Sequence, residues 1–261
     1  MDLSLLIALA LAALVGVSLG LLGGGGSILT VPILTYIVGM GPKEAIAASL
    51  FIVGVTSAVS MLSHAKAGRV RWKTGAIFGL AGMGGAFAGG LLGGYIPGVV
   101  LMILFAIMMV VTATAMIRGR KTPADAERAG PHGRKLPRIV LDGFLVGLAT
   151  GLVGAGGGFL IVPALNLLGG IPIAIAVGTS LLVITMKSFA GLAGYLFSVQ
   201  LNWPFVLTFT AVAVAGSLAG AALAGRIPEQ RLRKGFGIFV LVVGLFVLGK
   251  EVPGLVMGGA L

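Results

Sequence analysis

The sequence predicts an all-α membrane protein: a polytopic helical bundle of two inverted-topology repeats, each with a glycine-broken, re-entrant helix hairpin. Three observations predict it. The 261 residues are 58% hydrophobic and 10% charged, with a mean hydropathy of +1.14, where a soluble domain carries about 25% charged residues. Apolar stretches of bilayer-crossing length, about 20 residues, recur along the chain. The chain also matches itself at a constant offset of 131 positions.

Spanning helices are expected over 3–22, 44–63, 75–94, 98–117, 139–153, 174–197, 204–224 and 235–249. No Lys or Arg precedes Lys43. The first stretch therefore lacks the basic region of a cleaved signal and is expected to stay in the membrane. Two shorter apolar runs, 28–39 and 159–169, each follow a glycine cluster and are too short to span alone. They are expected to be second arms of broken or hairpin elements. The stretch 118–138 is the one sizeable polar segment and holds three Pro and seven Lys or Arg. It reads as a mobile hinge. The organisation is thus an N-terminal transmembrane repeat over 1–117, a basic cytoplasmic linker over 118–138 and a C-terminal transmembrane repeat over 139–261.

The repeat registers without a gap. GVSLGLLGGGGSILTVPIL from Gly16 aligns with GLATGLVGAGGGFLIVPAL from Gly147. Pro32 meets Pro163, Ser49-Leu50 meets Ser180-Leu181, Ser57 meets Ser188, Trp72 meets Trp203 and Ile96-Pro97 meets Ile227-Pro228. Low complexity could align Gly with Ala by chance, but not Pro, Trp and Ser at one offset. Five apolar segments per copy make the second copy inverted. Charge agrees, because Lys and Arg gather on the cytoplasmic side. Loop 64–73, the linker and loop 225–235 hold four, seven and four basic residues, fifteen of the chain's 18. Those three segments share a side only if the copies are inverted, which puts both termini outside. The net charge of +11 is then topological, and no nucleic-acid partner is expected.

The chemistry-bearing candidates lie inside the apolar spans. Gly23, Gly24, Gly25, Gly26 and Ser27 form one cluster, and Gly154, Ala155, Gly156, Gly157 and Gly158 form its copy. Consecutive glycines break a helix at about 1 kcal/mol each relative to Ala, and a break at membrane depth is tolerated only where buried in protein or lining a cavity. A new helix start presents N–H groups and a dipole that favour anions. Two facing breaks would make an anion cradle. The competing reading is tight helix crossing, which is favoured for the G-x-x-x-G pairs Gly85/Gly89 and Gly216/Gly220.

Lys187 lies near the middle of span 174–197 and should face a cavity or a partner. Its repeat counterpart is Thr56, so any charge is one-sided. Snorkelling or a salt bridge to Asp142 is the alternative. Ser49, Thr179 and Ser180, and behind them Ser57, Ser188, Thr35 and Asn166, offer hydroxyl or amide donors to an oxyanion. Such groups more often bond to their own helix. His64 is expected to be solvated or to bind lipid headgroups, and His132 to be solvated. With no Cys, disulfides and thiolate metal sites are excluded. No metal or other cofactor is expected, GGGGS lacks the Lys of a phosphate-binding loop, and no nucleophile–base pair suggests an enzyme.

The doubled motifs G-L-L-G-G-G-G-S-I-L-T-V-P-I-L and G-L-V-G-A-G-G-G-F-L-I-V-P-A-L, each followed by an Ala/Gly-x-S-L run, resemble the TauE/SafE sulfite exporter family over essentially the whole chain. The resemblance implies a prokaryotic inner-membrane carrier of small sulfur-containing anions such as sulfite or organosulfonates. Ala155 opposite Gly24 and Gly158 opposite Ser27 argue against a strictly symmetric site. The expected function is secondary transport of such an anion by alternating access between the repeats. The alternatives are a passive anion channel or uniporter and a non-transporting membrane scaffold. The expected partners are a small anionic substrate and the lipid bilayer, and self-association is compatible with the sequence.

Overall fold

The structure, a computed structural model, describes residues 3–22, 25–118, 136–158, 161, 173–223 and 229–258. The described residues form α1 (Leu3–Leu22), a 3₁₀ turn (Gly25–Leu29) running into α2 (Thr30–Tyr36), α3 (Pro42–Lys66), α4 (Trp72–Tyr95), α5 (Gly98–Arg118), α6 (Leu136–Val153), α7 (Ile173–Tyr195), α8 (Trp203–Leu223) and α9 (Glu229–Gly258). They contain no strand. By length and composition, six helices are able to cross a membrane: α3, α4, α5, α7, α8 and α9. Ile7–Leu21 and Val140–Val153, within α1 and α6, are shorter apolar stretches.

Local sequence sets the ends. Pro42 opens α3 at its first turn, with Glu44 behind it, where a missing N–H costs nothing and a carboxylate meets the positive end of the dipole. α3 stops at Gly68, whose φ of 67° is one an L side chain rarely adopts. The Gly68 and Arg69 amides cap the Ala65 and His64 carbonyls there. Helices form over all eight expected spans, six of them long and apolar enough to cross a membrane, and two further differences appear. α9 runs well past 235–249, so Arg231, Arg233 and Lys234 lie in its opening turns rather than in a loop. The apolar run 28–39 is a short helical arm, Gly26–Tyr36. Its 11 residues rise about 16 Å, roughly half of a ~30 Å hydrocarbon core. Of the matching run 159–169, only Ile161 is described.

Helices related by the 131 offset pack in a reciprocal pattern. α1 lies along α8, and their counterparts α6 and α4 lie along each other. Glycines allow these approaches. A Cβ on Gly16 would overlap the Ala213 carbonyl, and one on Gly147 the Gly82 carbonyl. A Cβ on Gly85 would overlap the Phe144 carbonyl and one on Gly216 the Ala13 carbonyl; Gly89 and Gly220 meet Leu148 and Val17 in the same way. Every contact recurs at the offset, and the packing expected of the Gly85/Gly89 and Gly216/Gly220 pairs is what these glycines do.

α3 crosses its counterpart α7 in the opposite sense: His64 lies against Gly178, Gly54 against Ser188, and Leu50 against Gly191. α5 and α9 do the same, with Gly237 against Met116 and Gly244 against Met109. Large apolar side chains on the outer faces stay exposed, among them Val111, Ile238, Phe239, Val242 and Phe246. A lipid solvent accepts such faces and water does not. Polar side chains turn inward: Ser27, Ser49, Thr56, Ser57, Thr179, Ser180, Lys187 and Ser188 are all buried.

Candidate functional site

α6 breaks at the second glycine cluster. The helix closes with the Gly154 amide on the Thr150 carbonyl at 3.0 Å. Gly154, Gly156 and Gly157 then take φ values of 71°, 28° and 70°, which L side chains rarely adopt. A new turn opens when the Gly157 carbonyl accepts the Ile161 amide at 3.0 Å. Space also demands glycine here. A Cβ on Gly156 would come within 2.6 Å of Val53 Cγ1 and 2.9 Å of Ser27 Oγ, and a Cβ on Gly157 would overlap the Lys187 ammonium.

Four elements therefore meet at this break. The first cluster contributes Ser27, which lies against Gly156. α3 contributes Ser49, whose hydroxyl donates to the Gly154 carbonyl at 2.9 Å. α7 contributes Lys187, 2% exposed, whose Nζ donates to Thr150 Oγ1 of α6 at 2.7 Å. Thr150 in turn donates to the Val146 carbonyl at 2.7 Å. Lys187 is the only buried Lys, Arg, Asp or Glu among the described residues. An ammonium has three donors, and the Thr150 hydroxyl is its one hydrogen-bond partner among them. A desolvated cation beside a helix break, with Ser27 adjoining the same glycine run, is an arrangement suited to a small anion.

The other candidates divide. Ala155 and Gly158 are buried in the same turn, and Gly25 and Gly26 lie in the 3₁₀ segment that carries Ser27. Gly23, Gly24 and Asn166 lie outside the described residues. Thr179 is not at the break. It sits eight residues before Lys187 on α7, about 12 Å along the axis. There it accepts the Arg71 amide at 3.0 Å and donates to the Ile175 carbonyl at 2.7 Å, pinning the α3–α4 loop. Ser180 donates back to the Val177 carbonyl of its own helix at 2.7 Å. Asp142 is half-buried on α6, eight residues before Thr150. His64, expected to be solvated, is half-buried with its Nδ1 enclosed. Among the described residues no three His, Asp or Glu gather as metal ligands.

Thr150 is the residue at the break that sequence reasoning missed. The available signal was a hydroxyl one turn before Gly154, where the helix end points it at the break.

Comparison with known proteins gives the family. The family model of the sulfite exporter TauE/SafE matches residues 8–247. A protein of Xylella fastidiosa (strain Temecula1), named a probable membrane transporter protein, is 36% identical over 256 residues, covering 97% of this chain and 98% of the relative. A probable membrane transporter protein of Methanocaldococcus jannaschii is 30% identical over 267 residues, covering 95% and 98%. A third, from Bacillus subtilis (strain 168), is 26% identical over 266 residues, covering 92% and 96%. No solved structure matches the chain. With its multi-pass apolar helices and a match across nearly its whole length, the chain belongs to the sulfite exporter TauE/SafE family of membrane transporters.

Proposed function

We propose that this protein is a secondary carrier of a small oxyanion, with sulfite or an organosulfonate as the substrate class. In this reading the anion binds at the α6 break between Lys187, Ser27 and the Gly156-Gly157 backbone, and rocking of two inverted repeats exposes it to each side in turn. The observation that carries the reading is the buried Lys187 ammonium against Gly157. A lysine at membrane depth costs about 2.5–3.5 kcal/mol on insertion scales, and a bound anion offsets that cost. The sulfur in the reading comes from the family.

Inversion is supported by the opposite sense in which α3 meets α7 and α5 meets α9, since equivalent helices of parallel repeats would run the same way. It is supported again by the basic residues, which inversion gathers on the cytoplasmic side of a prokaryotic inner membrane with both termini outside. The basic segment 118–138 then joins the two halves, and the short arm Gly26–Tyr36 re-enters rather than crosses. The membrane potential, worth about 2.3 kcal/mol per charge per 100 mV, drives an anion outward.

The test is flux of labelled sulfite in proteoliposomes, with sulfoacetate, thiosulfate, sulfate and chloride as competitors. Saturable flux suppressed by one sulfur anion is expected. Non-saturating flux would replace the carrier with a passive pore. Absence of flux with every anion, under proton gradients and potentials of either sign, would overturn transport of this class.

A further inference from the structure

We propose that one face of α3, formed by Ser57, Ser60 and His64, is the route along which the anion moves between the α6 break and the side of the protein carrying loop 67–71, where Ser63, His64 and Arg69 form a collecting mouth. The proposal rests on the anion-carrier reading and gives it a path.

Residues 57, 60 and 64 are spaced by three and four positions, so they share one face of the helix. Val53, a turn before Ser57, lies against Gly156, so this face begins at the site. Ser57 and Ser60 are 0% and 2% exposed. Their hydroxyls, and Nδ1 of His64, are enclosed without a hydrogen-bond partner among the described residues. That sets them apart in a chain whose span hydroxyls commonly bond back to their own helix. Thr56 does so to Ile52, Thr112 to Met108, Thr185 to Leu181 and Thr210 to Val206. Buried polar groups are paired as a rule, and a run of exceptions on one face calls for a cause. Within a membrane span, donors facing a pathway are such a cause, because a passing oxyanion accepts from each in turn.

The face ends at a cavity of about 220 Å³ lined by Ser63, His64, Arg69 and Ala221. Arg69 is exposed, and Lys66, Arg71 and Lys73 flank it in sequence, so the mouth lies in a positive field that concentrates anions. The equivalent face of α7 carries Ser188, Gly191 and Tyr195. Ser188 is again buried and without a partner among the described residues. There the far end is filled: Tyr195 is fully buried and donates its hydroxyl to the Leu152 carbonyl at 2.5 Å. The same positions are thus an unpartnered polar file on α3 and one filled at its far end by Tyr195 on α7, so the proposed path leads to the loop 67–71 side.

The chain has no cysteine, so single thiols report the path directly. Ser57→Cys, Ser60→Cys and, on the opposite face of α3, Val55→Cys would each be reconstituted in vesicles. Each is treated from either side with an anionic methanethiosulfonate and its cationic analogue. The two serine variants should react only from the loop 67–71 side, with the anionic reagent faster by about tenfold. Arg69→Gln should remove that preference, and Val55→Cys should stay inert. Equal inertness of all three thiols from both sides, in monodisperse protein, would overturn the route. If a serine variant fails to fold, His64→Cys at the mouth carries the same expectation. Labelling needs no substrate. Failure of every sulfur anion to be transported would count against the carrier reading, whereas unreactive thiols would count against the path.

Discussion

The two glycine clusters occupy equivalent positions in the duplicated sequence yet hold different chemistry. In the second half, Gly157 faces Thr150 and the Lys187 ammonium. Its counterpart Gly26 faces Ser18 and Leu19, and Leu19 is the residue at the Thr150 position. The counterpart of Lys187 is Thr56, whose hydroxyl bonds back to the Ile52 carbonyl of its own helix at 2.6 Å. Away from the breaks the halves remain alike: the crossing glycines touch carbonyls that correspond one for one at the 131 offset. Packing preserved the duplication because a shared crossing needs small residues at both copies. At the centre the halves differ, and a second lysine at Thr56 would add a second costly charge within the membrane span.

The largest expected effect tests the symmetric part. Gly16→Leu and Gly147→Leu each force a side chain into the backbone of a partner helix. Overpacking of this kind costs about 1–3 kcal/mol or more. Both variants should lose most of their monodisperse protein in detergent and melt at lower temperature, by similar amounts. A variant that keeps wild-type Tm would break the equivalence of the two crossings.

Next comes the asymmetric part. In the proposed reading Lys187→Ala removes a charge-assisted interaction with the anion worth roughly 1.5–3 kcal/mol, so transport at low substrate should fall by about 10- to 100-fold. The fold should persist, because the variant also removes a buried charge. Unaltered flux in folded protein would show that Lys187 does not hold substrate. Thr150→Val should do less. It deletes the hydroxyl that bonds Lys187 among the described residues while preserving shape, at a cost of about 1 kcal/mol. The expected result is an apparent KM raised about fivefold with little change in maximal rate.

How much of this was readable differs between levels. The ends of α1 and α5 were legible because glycine, proline or charge bounds an unbroken apolar run. The start of α9 was not: Glu229, Gln230, Arg231, Arg233 and Lys234 form helix well yet read as loop to any measure of hydropathy. Lys187 stood out because nothing else in its span is charged. Thr150 did not, since a threonine in a membrane helix ordinarily bonds back to the preceding turn. It does so here, while its oxygen also accepts from Lys187. Thr179 misled for a related reason. Its neighbour Ser180 is matched by Ser49 at the offset, but the position on α7 turns the Thr179 hydroxyl to the Arg71 amide. Adjacent residues do not face the same way on a helix, so the repeat match at Ser180 carries nothing over to Thr179.

The smallest expected effect is at Thr56. If the first half has given up its share of the chemistry, Thr56→Ala should cost less than about twofold in flux, since the hydroxyl it removes is committed to Ile52 and its loss leaves no charge unpaired. Measured beside Lys187→Ala in the same vesicles, the two variants weigh equivalent positions of the duplicated fold against each other. Losses of similar size would mean that the first half holds the anion as firmly as the second, and that the lone lysine serves the fold rather than the substrate. A wide gap would place the electrostatic work in the second half and leave the first as the scaffold that positions Ser27 and Ser49.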